Sequence, residues 1–461
     1  MIKLRDFQEN TKDNLMEGKS TVVIAPTGLG KTIAAIIPSK DISGSTKLRS
    51  RVIYVLPMRA LAKGIQEEFE NFNIKAVIHH GDEPESKWFT ERAIITTVDQ
   101  YFTAFAGAPL SWSSATSHAA AGAALISYTV FDEIHLLNPK NGLQLLFAVL
   151  KLRSRWNLPT TVMTATFPNS VINFLETKCG LVKIEASEKD IKDRDSWRNV
   201  SLKLHDKGLN VEGLTKFVKE HWKNYGKAIV FVNTVERAIS LYTKLKEDSS
   251  LRDKILLAHS RFTKKHRKRI EEEIHLKFGR NSDFEGILVT TQVAEAGLNI
   301  SAPLVITELA PMDSLIQRAG RCVRFRENSG KVKGEVMVVK PKVENDNWYA
   351  PYFDYIRLRK GGSGTNKNDA FIKNKERITL SELTWVVLLE KAKTNISLDW
   401  DIEKELLNLS LDDVYSAFIN GSDIIYFKDQ IKDKEIGEIV EQYKEEVGKN
   451  AINYKRSYWH I

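Results

Sequence analysis

The chain has few cysteines: Cys179 and Cys322 are the only two in 461 residues, and no CxxC pair exists. That scarcity speaks against a disulfide framework or a structural zinc site and fits a reducing cytoplasm. No stretch approaches the ~18 apolar residues of a membrane span. The Ala/Ser-rich stretch 104–124 is broken by Pro109, Trp112 and His118 and reads as an irregular loop with a short helix. The N-terminus, MIKLRDFQENTKDNL, is charged from its third residue and has no apolar signal core. The ten histidines are scattered. His79 and His80 adjoin Asp82, and His205–Asp206 is the one His-Asp dipeptide, so no ligand cluster for a metal nuclease is visible. The expectation is a soluble cytoplasmic protein with no membrane partner.

What is present is substantial. The length fits two to four domains, and 42% hydrophobic with 28% charged residues marks an ordinary globular chain. The net charge of +9 hints at a polyanionic partner, although a lysine-rich solvated surface gives the same number. Short β-branched runs alternate with helical patterns in two sets. The first comprises 21–26, 51–57, 93–98, 127–133 and 160–166; the second comprises 227–233, 255–259, 286–291, 304–311 and 334–341. Buried strands alternating with helices indicate parallel α/β sheets. A charged, linking segment at 185–199 separates the sets. The expected organisation is an α/β domain over 1–199, another over 200–341 and a small, mostly helical domain over 342–461. In the last, LRKGGSGTNKND (358–369) reads as flexible, while 379–393 and 435–448 read as helices.

TVVIAPTGLGKT (21–32) is a strand, a glycine loop and a helix start. It meets the phosphate-binding fingerprint at Gly30, Lys31 and Thr32, with Ala25 where the first glycine normally stands. Pro26, Thr27, Gly28, Leu29 and Gly30 would wrap the phosphates of ATP with backbone N–H groups at the positive end of a helix. Lys31 would neutralise the β- and γ-phosphates and the Thr32 hydroxyl would ligate Mg²⁺. The plain alternative is a glycine-rich strand–helix turn. In YTVFDEIHLL, Asp132 and Glu133 end an apolar strand, where α/β sheets place ligands. Asp132 would hold the Mg²⁺ shell while Glu133 orients and deprotonates the attacking water.

LIQRAGRCVRFRE (315–327) carries four arginines, which alone could form a solvated helix face, grip a phosphate backbone or reach a nucleotide. Given a phosphate loop, the third reading gains weight, because an arginine finger contributes ~10³–10⁵ in rate. Arg321 and Arg324, spaced i, i+3 on one helix face, are the candidates. Gln317, one turn earlier, would help position water, and Arg318 would face the interlobe surface or a nucleic-acid backbone. A finger on the second α/β domain would couple hydrolysis to closure of the lobes.

Seven motifs stand in order: APTGLGKT (25–32), LPMRALA (56–62), TTVDQ (96–100), DEIH (132–135), TATFP (164–168), VTTQVAEAGLNI (289–300) and QRAGRCVR (317–324). The series resembles that of superfamily-two helicases over roughly residues 1–341. LLAHSRFTKKHRKRIE (256–271) and APMDSLIQRAGRCVR (310–324) look most like the CRISPR-associated helicase of type I systems. The resemblance implies two RecA-like domains, 3′-to-5′ movement on single-stranded DNA and a CRISPR surveillance complex as partner. It implies that Phe7 and Gln8 read adenine and that Thr164 and Thr166 link hydrolysis to lobe movement. Arg59, Thr97, Thr234, Arg261 and Thr291 would line the single-strand path; for each, a capping or surface role is the alternative. Asn299 stands where many members carry an Asp near the ribose. Family members often carry an HD nuclease module ahead of the helicase, whereas 24 residues precede Ala25 here. The expectation is a stand-alone helicase subunit whose HD nuclease is a separate polypeptide. A DEAH-like RNA helicase and an ATP-gated clamp that does not unwind are the rivals.

Overall fold

The computed structural model describes residues 4–40, 51–81, 83–86, 89–107, 117–137, 142–295, 297–326, 332–342, 355–359, 377–391, 396–419 and 424–426. The chain divides into two compact units, residues 1–196 with 296–298, and 197–295 with 299–461.

The first unit is built on eight strands: β1 (Thr21–Ile24), β2 (Val52–Leu56), β3 (Ala76–His80), β4 (Glu83–Pro84), β5 (Ala93–Thr97), β6 (Tyr128–Phe131), β7 (Thr160–Thr164) and β8 (Val182–Glu185). Their order is β4-β3-β5-β2-β6-β7-β1-β8, all parallel except the short β3–β4 pair. β1, β2, β5, β6 and β7 are buried along their whole length, as strands covered by helices on both faces must be. Helix Ala62–Asn71 turns Ala62, Ile65 and Phe69 into the core beside Tyr54 and Val130, one apolar stripe at helical spacing.

The second unit adds β9 (Arg198–Leu209), β10 (Lys227–Phe231), β11 (Ile255–Ala258), β12 (Gly286–Thr290), β13 (Leu304–Glu308) and β14 (Val332–Pro341). Their order is β11-β12-β10-β13-β14-β9, with Ile396–Ser397 added antiparallel at the β9 edge. Helices Leu380–Lys391 and Trp400–Ile419 belong to this unit, as does a three-stranded sheet of Tyr355–Arg359, Arg377–Thr379 and Ile424–Tyr426. Both free cysteines are buried. Among the described residues no helix is long and apolar enough to cross a membrane.

All ten expected strands are present, and the fold is the expected pair of parallel-sheet α/β domains. The segment 185–199, within which one unit gives way to the next, is regular structure rather than an open connection. It holds helix Glu188–Trp197, whose Ser187 hydroxyl accepts from the Asp190 amide, 3.2 Å, and leads straight into β9. Its acidic face is held from afar, Arg5 reaching Asp190 and Asp193 at 3.3 Å each. The expected loop at 104–124 contains helix Ser117–Ile126, with 108–116 outside the described residues. The expected helix at 379–393 is Leu380–Lys391; the one at 435–448 and most of the 358–369 stretch lie outside the described residues.

One buried cation ties the first unit together. Arg153 is fully buried and donates to Tyr101 Oη and Thr160 Oγ1, each at 2.8 Å, and to the carbonyls of Ala124, Ser127 and Pro159. Burial lowers its pKa and Tyr101 opposes that. Replacing it strands those acceptors at once. Arg153→Ala is expected to lower stability by at least ~3 kcal/mol, since each stranded buried group costs ~1–3 kcal/mol. Denaturant unfolding checks this, and a loss below ~1 kcal/mol would contradict it.

Candidate active site

β1 ends at Ile24 and the chain turns through Pro26–Gly30 into the helix beginning at Lys31. Gly28 (φ 84°) and Gly30 (φ 91°) occupy the left-handed region that side chains disfavour. At Gly30 a Cβ would also stand 2.9 Å from Gln8 Nε2, the atom that donates to the Gly30 carbonyl at 3.0 Å. Gln8 Oε1 in turn accepts from the Arg5 amide, 2.9 Å. Phe7 beside it is fully buried in the core. Lys31 is buried and folds back on its own loop, donating to the carbonyls of Ala25 (2.9 Å) and Pro26 (3.3 Å), acceptors that a phosphate would outbid by charge.

Parallel neighbours bring the rest alongside. β7 lies between β1 and β6, so TATFP and DEIH emerge at the same sheet end as the glycine loop. Thr164 Oγ1 accepts from the Thr166 amide, 3.1 Å. Asp132 is buried; its Oδ2 accepts from the Tyr54 phenol at 2.6 Å and its Oδ1 from the Glu133 amide at 2.9 Å. The Thr32 hydroxyl also reaches the phenol. Burial pushes the Asp132 carboxyl up to about 7, Glu133 adds to the rise, and the Tyr54 hydrogen bond and Lys31 oppose it. Glu133 has φ 50° and ψ 33°, a left-handed backbone unusual for a non-glycine residue and typical of strained functional turns. Its Oε2 lies 3.4 Å from Nδ1 of buried His135, whose pKa burial lowers. Thr32 and Asp132 are hard oxygen donors, the set that suits Mg²⁺. Tyr54 and His135 were not among the expected site residues. Tyr54 hides as an ordinary aromatic inside the apolar run VIYVL; His135 follows directly on the carboxylates and was the more visible of the two.

In the second unit the arginine motif departs from expectation. The helix is Met312–Ala319 and stops there, so Arg321 and Arg324 share no helix face. They sit on the following turn, where Val323 takes φ 48°, an uncommon strain for a β-branched residue. Arg318 faces no surface. It is fully buried, donating to Glu295 Oε1 and Thr307 Oγ1 at 2.7 Å each and to Asn233 Oδ1 at 3.1 Å. Arg321 is buried too and donates to the carbonyls of Ala294 (3.1 Å) and Glu295. Arg324, partly exposed, donates to Asn299 Oδ1 at 3.0 Å, and Gln317 is buried on the helix.

The expected nucleic-acid residues divide. Thr234 caps helix Val235–Lys246, accepting from the Arg237 amide at 3.2 Å, and exposed Arg261 pairs with Glu236 at 2.5 Å. Arg59 is exposed and lies against Gly81. Thr97 and Thr291 are buried, and their hydroxyls make no hydrogen bond among the described residues; the same holds for Thr166.

A family model for the DEAD/DEAH box helicase matches residues 5–174, and one for the C-terminal part of the CRISPR-associated nuclease/helicase Cas3 matches residues 224–327. A putative CRISPR-associated nuclease/helicase Cas3 of Methanocaldococcus jannaschii is 27% identical over 369 residues, covering 70% of this chain and 47% of that protein. The chain thus spans about half the length of the curated relative it matches. The crystal structure of T. fusca Cas3 with AMPPNP aligns over 98% of this chain and 55% of its own, with TM-score 0.65 and 20% identity. A chain of a CRISPR RNA-guided surveillance complex in a pre-nicking state aligns over 91% of this chain and 53% of its own, with TM-score 0.62 and 20% identity. At that identity the structural likenesses speak to the fold alone.

Asp132 must be ionised to hold a cation, and its pKa of about 7 sets the pH at which that happens. Mg²⁺-dependent ATP affinity is therefore expected to rise with pH through about 7 and level off above it. Removing the Tyr54 hydroxyl removes a hydrogen bond to the ionised form, so Tyr54→Phe is expected to move this limb to higher pH. Nucleotide titrations from pH 6 to 9 check both; an unmoved limb in Tyr54→Phe would count against the assignment.

Proposed function

We propose that the chain is a superfamily-two helicase, an ATP-driven translocase that unwinds DNA by moving along one strand in type I CRISPR interference, a reading supported by the DEAD/DEAH box match in its first unit and the Cas3-like match in its second. The observation that carries the reading is the meeting of Lys31, Thr32, Asp132 and Glu133 at one end of a parallel sheet, with the tyrosine clamp on Asp132. Lys31 holds the β- and γ-phosphates once they displace its loop carbonyls. Thr32 and Asp132 would hold Mg²⁺, which when bound neutralises phosphate charge and orients the phosphoryl group. Glu133 takes the proton of the attacking water. Arg321 and Arg324 supply positive charge as the phosphoryl group transfers, with Gln317 aiding the water, and Asn299 orients Arg324. Exposed Arg59 and Arg261 contact backbone phosphates without reading bases, and Thr97, Thr234 and Thr291 belong to the segments that line the same path.

The surveillance complex is the proposed recruiter and single-stranded DNA the proposed track. Cleavage is assigned in this proposal to a separate nuclease polypeptide. The deciding experiment compares ATPase stimulation by single-stranded DNA and RNA, then follows displacement of a labelled strand with and without ATP. Wild type is expected to hydrolyse ATP faster with DNA, to displace the strand only with ATP and to leave it uncut. Preference for RNA would make it an RNA helicase, ATP-gated binding without displacement would make it a clamp, and cleavage that survives Lys31→Ala would place a nuclease on this chain.

The arginines give a separate expectation. Arg321→Ala or Arg324→Ala should lower kcat by ~10³-fold with a smaller effect on ATP binding. Near-normal hydrolysis with lost DNA affinity in either variant would make that residue a backbone contact instead.

A further inference from the structure

Arg198, at the start of β9, has no part in the motif series, yet it is buried and reaches four acceptors. Its Nη2 donates to the Ala319 carbonyl at 3.1 Å, and its Nε to the Cys322 carbonyl at 3.3 Å. Its Nη1 donates to the Leu398 carbonyl at 3.2 Å and to Glu403 Oε1 at 3.4 Å. Glu403, on helix Trp400–Ile419, is equally buried.

The first two acceptors belong to the arginine turn. Ala319 is the last residue of its helix, where carbonyls lack helical partners and a cation is favoured. Cys322 lies between Arg321 and the strained Val323. A strained backbone persists only where its surroundings over-determine it. Here the far side of the turn is pinned by Ala302, whose amide donates to the Arg321 carbonyl at 3.1 Å and whose carbonyl accepts from the Val323 amide at 3.1 Å. Strand β14 closes in below: a Cβ on Gly334 would stand 2.5 Å from both Cys322 Sγ and Val323 Cγ2. Arg198 supplies the remaining side.

We infer that Arg198 is a positioning residue for hydrolysis: it fixes the turn that presents Arg321 and Arg324, and through Glu403 it makes helix Trp400–Ile419 part of that setting. This rests on the helicase reading above. Two neutral isosteric groups would staple the helix as well as an ion pair does, and a buried pair is a weak source of stability. What the guanidinium adds is geometry, four directed bonds from one planar group.

The test uses the full chain and measures ATP kcat and KM with single-stranded DNA, together with thermal stability. Arg198→Gln is expected to lower kcat by ~10²-fold, the effect of a displaced catalytic group, with KM within ~3-fold of wild type. Arg198→Lys should recover part of kcat. Glu403→Gln keeps shape and removes charge, and is expected to lower kcat ~10-fold in the same pattern. Lys391→Ala, which removes the half-exposed pair with Glu405, should change neither constant. A kcat within ~2-fold of wild type in folded Arg198→Gln, or a KM that rises as kcat falls, overturns the inference. If Arg198→Gln does not fold, Glu403→Gln decides by the same criterion. A wild-type chain without nucleic-acid-stimulated hydrolysis overturns the helicase reading and this one with it; normal hydrolysis in Arg198→Gln overturns this one alone.

Discussion

The parallel register of β1, β7, β6 and β2 is the constraint from which the nucleotide site follows. Ile24 pairs with Thr164 across β1–β7, Phe131 with Val162 across β6–β7, and Val55 with Phe131 across β2–β6. Strands that run the same way discharge their loops at the same edge, so residues more than a hundred positions apart in sequence arrive together. The Asp132 amide donates to the Val55 carbonyl at 3.1 Å, which continues the β2–β6 ladder one residue past the strand and sets the carboxylate against Tyr54. A slip of one residue in that ladder would turn Asp132 to the opposite face.

The second unit solves a different problem, that of holding several guanidinium groups in little space. Arg318 is the floor: it spends its donors on Glu295, Thr307 and Asn233, and Asn233 and Glu308 link the same network to Arg237. Arg321 uses carbonyls of the segment that also carries Glu295. Neighbouring arginines therefore differ in kind. Arg318 and Arg321 are both buried and committed to internal acceptors, whereas Arg324 is partly exposed, a division that spacing along the chain does not reveal.

Much was legible in the sequence. The glycine loop, the carboxylate pair and the buried strands have local signatures, because continuous apolar runs and glycines at forced backbone angles are written in consecutive letters. The misreadings are nonlocal. RNVSLKLHDKGL (198–209) mixes polar and apolar residues and is not among the expected strands, yet it becomes β9 because β14 supplies its hydrogen bonds. The charged run 188–197 is a helix whose partner, Arg5, stands near the N-terminus. A helix face shared by Arg321 and Arg324 is what their i, i+3 spacing suggests, but the helix ends at Ala319, and Gly320 and the turn's pairing with Ala302 follow. Tyr54 could be found only by knowing which strand lies beside β6.

The amide of Gln8 carries a consequence beyond the shape of the loop. The Arg5 amide can only give and the Gly30 carbonyl can only receive, so the two together fix which end of the side chain is oxygen and which is nitrogen. With one lone pair and one N–H committed, the group retains one acceptor and one donor, side by side and unable to flip. That is the complement of adenine's N6 and N7 edge, whereas guanine offers two acceptors along the same edge. Base preference at such a site would be written less by glutamine itself than by the two backbone groups that deny it the alternative orientation.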